Sequence, residues 1–174
     1  MKKTLLLLTL FLVVCSCSKD EDNQTKLPKE LNFTGTIVSC SDFTVHQILD
    51  AKNLNISLDI DGTGREDLNL TSEFKSFSLP NDNLKCNISA WDAPIAGNFC
   101  NDVIIREVNL TGTWNAVSGN LKLSVSDIEE TEFDTYYRLT ILLENVIFEN
   151  SNGDEQREIP SLIIEETGVG FIPG

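Results

Sequence analysis

The chain has one histidine, one methionine, five prolines and only 13 basic residues against 27 acidic ones. A single His excludes a multi-histidine metal centre within one subunit. The shortage of Lys and Arg argues against a nucleic-acid binder, because such proteins draw most of their affinity from basic side chains on phosphates. It argues equally against adhesion to anionic lipid. Neither a Gly-x-Ser-x-Gly elbow nor a phosphate-cradling glycine loop nor a dinucleotide fingerprint occurs. Helical periodicity is scarce. With 41% hydrophobic residues, the composition is nonetheless that of a folding chain rather than a disordered one.

The N-terminus reads Met1-Lys2-Lys3, an apolar run from Thr4 to about Val14, then Cys15-Ser16-Cys17. The run falls short of the ~20 residues that cross a bilayer. With basic residues before it and small ones after, it has the form of a cleaved export signal, residues 1–16. Val14-Cys15-Ser16-Cys17 resembles the lipobox of bacterial lipoproteins, in which a Cys after a small residue is lipidated and becomes the new N-terminus. Cys17 follows Ser16, whereas the rival Cys15 follows the branched Val14, so Cys17 is the expected lipidation site. Ser18-Lys19-Asp20-Glu21-Asp22 resembles the surface-export signal of Bacteroidota-type lipoproteins. That resemblance implies an outer-membrane lipid anchor and display on the cell surface, and it implies no activity. Loss of Lys2 and Lys3 with the signal leaves 158 residues carrying 11 basic and 27 acidic side chains, a net charge of −16. Residues 17–30 are expected to form the lipidated tether, with a reach of ~40 Å if extended, and residues 31–174 a single domain.

Within that domain, apolar residues recur at every second position in Ile56, Leu58, Ile60, in Leu121, Leu123, Val125, and in Leu139, Ile141, Leu143. This is the period of a strand with one face buried. The Glu144-Asn145 step before Val146-Ile147-Phe148 shifts the phase and predicts a bulge or bend. Turns are expected at Asp61-Gly62, Pro80–Asn83, Ser118-Gly119-Asn120 and Asn152-Gly153-Asp154. Residues 42–52 fit either a short helix or a strand. Eight or nine short strands with this punctuation predict an all-β fold, a single antiparallel β-sandwich or barrel-like domain. A faint echo links Leu31–Thr36 with Val108–Thr113, too short to imply duplication.

Three cysteines remain in the mature domain: Cys40, Cys86 and Cys100. Cys86 with Cys100 is the preferred pairing, closing the Pro- and Gly-containing segment between them. The alternative is that all three are small buried thiols.

The segment Asp59-Ile60-Asp61-Gly62-Thr63-Gly64-Arg65-Glu66-Asp67 alternates oxygen-bearing side chains with glycines that permit a tight turn. It resembles the Asp-Gly calcium loops of extracellular repeats. Asp59, Asp61, Thr63, Asp67 and the Arg65 carbonyl are the ligands this implies, for a structural Ca2+. Thr63 stands where Asp is usual, and the bland alternative is a polar hairpin turn.

Trp91, in Ala90-Trp91-Asp92-Ala93-Pro94, is the candidate platform for a sugar ring, whereas Trp114 is expected in the core. The functional expectation is a non-enzymatic binding or accessory role, with a glycan or another outer-membrane protein as partner. The rival expectations are a glycan-binding module or a carboxylate-based hydrolase. The apolar tail Gly168–Gly174, with Phe171, is either a docking segment or the last strand of the sheet.

Overall fold

Eight strands, with burial alternating along the longest of them, build one antiparallel sheet that curls until its ends nearly meet. The computed structural model describes residues 25–40, 43–50, 52–95, 98–100, 107–132 and 135–169. The strands are β1 (Ile37–Cys40), β2 (Thr44–Ile48), β3 (Ile56–Gly62), β4 (Lys75–Ser78), β5 (Leu84–Trp91), β6 (Leu110–Glu130), β7 (Thr135–Asn150) and β8 (Gln156–Val169). Their order across the sheet is β1-β2-β3-β5-β6-β7-β8, and β4 pairs with β6 off this path. β5 and β4 share one edge of β6. β5 takes Leu110–Asn115 and β4 takes Asn120–Leu123. Across the seam, the Ser39 hydroxyl of β1 donates to the Gly168 carbonyl of β8. The expected all-β, barrel-like domain is therefore what forms, with no helix among the described residues.

The inward face is apolar and closely packed. Leu58 and Ile60 of β3, Ile88 of β5, Leu121 and Leu123 of β6, and Leu139, Ile141 and Leu143 of β7 are fully buried. Phe33, Phe43, Trp114 and Phe148 fill the larger spaces between them. Burying each such side chain is worth about 1.5–3 kcal/mol. Residues 42–52, open between helix and strand in the sequence, contain β2. Its turn into β3 is capped by Asp50, whose Oδ1 accepts from the backbone N–H of Lys52 at 2.6 Å and of Asn53 at 2.7 Å. The Asn53 and Lys52 amides, in that order, hold this carboxyl below the usual carboxylate range.

The phase shift at Glu144-Asn145 is a true dislocation. Between Ala116 and Ser118, β6 carries one extra residue, and between Glu144 and Ile147, β7 carries one extra in return. Leu143 and Val146 therefore both point inward. Asn145 has φ of 51 degrees and Gly119 has φ of 112 degrees. A Cβ on Gly119 would lie 2.6 Å from the Asn145 carbonyl oxygen and 2.6 Å from the Val146 Cα. Ser118-Gly119-Asn120 is thus no turn between strands, contrary to its sequence signal. It is the inside of a long strand at a bend that only glycine allows.

One further expectation is revised. Leu27, placed in the tether, is buried in the core, and Arg157 donates to the carbonyls of Leu27 and Pro28. The domain therefore takes in residues on the N-terminal side of Leu31. The echo between Leu31–Thr36 and Val108–Thr113 is not structural: the first is an extended lead-in bonded to the end of β2, the second runs into β6. Residues 101–106, Cys17, the acidic run after it and Phe171 lie outside the described residues.

Gly119→Ala is expected to cost about 3 kcal/mol, combining positive-φ strain with a backbone clash, and to lower the melting temperature by roughly 10 °C. Gly168→Ala, where a Cβ meets no atom within 4 Å, is expected to change stability by less than about 0.5 kcal/mol. Paired thermal melts check both.

Candidate functional site

Two places on the outer face of the sheet gather side chains with chemistry. The first crosses β2, β3 and β5, where His46, Asp59 and Asn87 stand in one row because Asp59 is opposite His46 on one side and opposite Asn87 on the other. Strand alternation puts Ser57 and Ser89 on the same face. The Asp59 carboxylate accepts from His46 Nδ1 at 2.8 Å, from Asn87 Nδ2 at 3.1 Å and from Ser89 Oγ at 2.5 Å. The acceptor role of Asp59 assigns the proton to His46 Nδ1. Asp59 and Ser89 are buried although they face away from the core.

Their cover comes from the connection between β5 and β6. Its base is tied where Asn109 donates its backbone N–H and its Nδ2 to the Asp92 carboxylate, at 2.9 and 2.8 Å, and Asp92 donates its N–H to the Asn109 carbonyl. Further along, Phe99 lies flat on the His46 ring with centroids 3.9 Å apart and meets Trp91 edge-on at 6.5 Å. Beside it, Cys100 is bonded to Cys40 on β1. The pairing is therefore Cys40–Cys100 and not the expected Cys86–Cys100. Sequence proximity favoured the short loop, but Cys86 points into the core from β5 while Cys40 stands at the sheet edge that the connection reaches. Burial, with a smaller contribution from the Asp59 carboxylate, pushes the Cys86 thiol well above its ordinary range. It is packing, not a nucleophile. Trp91, the candidate platform, is half-buried, with its ring at 79 degrees to that of Phe99 and its Nε1 3.4 Å from Ser57 Oγ. Trp114 is core as expected, its indole donating to Glu155 at 3.1 Å.

This cluster contains a Ser, a His and an Asp, yet their order does not make a nucleophile. In a catalytic triad the imidazole stands between hydroxyl and carboxylate and takes the hydroxyl proton. Here the carboxylate stands in the middle, and Ser89 donates to Asp59 rather than to His46.

The five expected calcium ligands are not brought together. Asp59 is spent on the cross-strand network. The Arg65 carbonyl accepts the Leu70 N–H at 3.1 Å within a tight turn whose Leu68 and Leu70 are buried in the core. The Arg65 guanidinium faces Glu66 and Glu130, each at 3.6 Å. Asp61 and Asp67 do not join Asp59, and among the described residues no group of three His, Cys, Asp or Glu side chains is placed to hold a metal ion.

The second place is a cleft of about 460 Å³ where β6, β7 and β8 end, lined by Asp127, Glu129, Tyr136, Tyr137, Arg138, Gly168 and Val169. β6 carries one extra residue between Ser126 and Glu129, and Asp127 takes φ of 48 there. Arg138 Nε lies 3.3 Å from Asp127 Oδ2. Only the hairpin pairing sets Glu129 and Tyr136 opposite one another.

Asp59→Ala would leave three donors without their acceptor, two of them from β5, and is expected to cost about 3 kcal/mol, against about 1 kcal/mol for Ser89→Ala. Urea unfolding of the two variants measures the ratio. Reduction of Cys40–Cys100, which spans 60 residues of sequence, is expected to cost about 4 kcal/mol by chain entropy, and peptide mapping under non-reducing conditions should recover that pair with Cys86 as a thiol. Comparison with known proteins finds no family model, no curated protein and no solved structure that matches the chain.

Proposed function

We propose that the protein is a lipid-anchored module of the outer membrane, displayed on the cell surface, with a non-enzymatic binding or accessory role. The observation that carries the location is the disulfide. A Cys40–Cys100 bond between distant segments persists in an oxidising compartment and is rare in the cytosol. It agrees with the signal-like residues 1–16 and the lipobox-like Cys17. A diacylglyceride on Cys17 supplies the two chains that stable anchoring needs.

The binding role is supported by how the polar side chains are used. The buried set is consumed in holding strands together, and Ser89 has no base. The carboxylates of the open cleft, Asp127 and Glu129, are solvated, whereas a glycosidase keeps its acid protonated by burying it. A strongly acidic surface adds solubility and disfavours anionic partners.

Metabolic labelling with a fatty-acid analogue tests the anchor. The wild-type chain is expected to carry label and fractionate with the outer membrane. Cys17→Ala should lose the label and leave the membrane, while protease added to intact cells should degrade the wild type. An unlabelled wild type, or a mature N-terminus other than Cys17, would overturn the proposal.

A further inference from the structure

The open cleft at the ends of β6, β7 and β8 leaves the polar groups of Asp127, Glu129 and Arg138 at the surface. We infer that it binds a neutral saccharide, which adds a ligand class to the binding role proposed above and rests on that reading. Tyr136 and Arg138 are two residues apart on β7 and so share the outer face, and Gly168 stands opposite Arg138 on β8. Tyr136 supplies an aromatic ring at the wall, half-buried and hence preorganised, with a hydroxyl at its edge. Asp127 and Glu129 supply acceptors and Arg138 supplies donors. A sugar ring needs this combination, since it has an apolar C–H face and a rim of hydroxyls that both donate and accept.

Charge narrows the class. One guanidinium against two carboxylates leaves the cleft net negative, on a chain whose formal charge is already −14. Uronic acids, sulfated glycans and phosphates are repelled, and neutral sugars are not. Size agrees, because about 460 Å³ falls within the ~300–1,000 Å³ of small-molecule sites. The backbone is shaped for the purpose as well. The extra β6 residue beside Asp127 turns that strand at the rim, a common use of bulges next to sites. At Gly168 the absence of a side chain leaves open space, since a Cβ there would touch nothing within 4 Å.

The test uses the full mature chain, kept soluble by Cys17→Ser, titrated with neutral trisaccharides of glucose, mannose and xylose and with a uronic-acid trisaccharide. Amide chemical shifts are followed by NMR. Saturable shifts centred on residues 127–138 and 168–169 are expected with at least one neutral sugar and not with the uronic acid. Gly168→Phe fills the cleft without a backbone clash and should weaken binding by about tenfold or more at an unchanged melting temperature. Tyr136→Ala should do the same by removing the ring, and keeps the inference testable if the phenylalanine variant does not fold. No shift with any neutral sugar at millimolar concentration, tighter binding of the uronic acid, or binding indifferent to both substitutions would overturn it. Fatty-acid labelling of Cys17 is read separately, so a lipidated chain that binds no sugar sinks this inference and leaves the anchor standing.

Discussion

A carboxylate taken out of water must be met by several donors, or it is too costly to bury. Asp59 is met by three, from two neighbouring strands, and the outer face of β2, β3 and β5 is organised around that requirement. Fixing His46 by its Nδ1 presents a flat ring to the outside. Phe99 stacks on that ring, and Cys100 follows at once with its bond to β1. The same carboxylate therefore ties the strands together laterally and seats the strap that covers them. Removing it would loosen the strap and the sheet together. This explains why a disulfide is useful at that point: a covalent bond lowers the entropy of the chain it must compete with.

The other half of the sheet meets a different constraint. The long strands β6 and β7 cannot stay regular and also curve enough to bring β8 back to β1. The two opposed extra residues, at Val117 and near Asn145, relieve this by bending both strands while restoring the pairing beyond the bend. Leu121 and Leu143 on one side and Phe148 on the other then all reach the same core. Gly119 lies where the strands come closest, which is why its missing Cβ matters more than that of Gly168.

Strand existence was legible because the apolar period of two in β3, β6 and β7 needs no tertiary information. The β7 bulge was legible for the same reason, since Leu143 and Val146 break that period. What could not be read was any feature set by cross-strand position. Gly119 reads locally as a turn residue, and only the approach of Asn145 makes it part of a strand. The disulfide partner is one such feature, because loop length in sequence says nothing about which strand lies at the edge. Spacing alone groups Asp59 with Asp61 and Asp67 in one loop, whereas Asp59 stands within β3 and finds its partners on β2 and β5. A subtler signal was present. The outward positions of β3 and β5 carry the short polar residues Ser57, Asp59, Asn87 and Ser89, whereas those of β6, β7 and β8 include Lys122, Glu144, Glu158 and Glu165. Short polar side chains on an outward face mark a face that something covers, because long charged ones would hold a cover away.

That division bears on where a ligand can exchange. On the covered half, the Asp59 carboxylate is engaged by His46, Asn87 and Ser89, and a ligand arriving there would have to displace Phe99 and the linked Cys100. On the open half, Asp127 and Arg138 form an ion pair at the surface, and a ligand reaches the cleft without displacing that cover. Binding there costs no rearrangement of the fold, so it is expected to be fast and weak, governed by the few contacts that Tyr136 and its polar neighbours supply. A surface module with such a site gains strength by presenting many copies to a polymeric ligand, since each further contact is made at high effective concentration. Lipid anchoring of many copies in one membrane would supply that arrangement, which is how the proposed address and the proposed ligand class support each other.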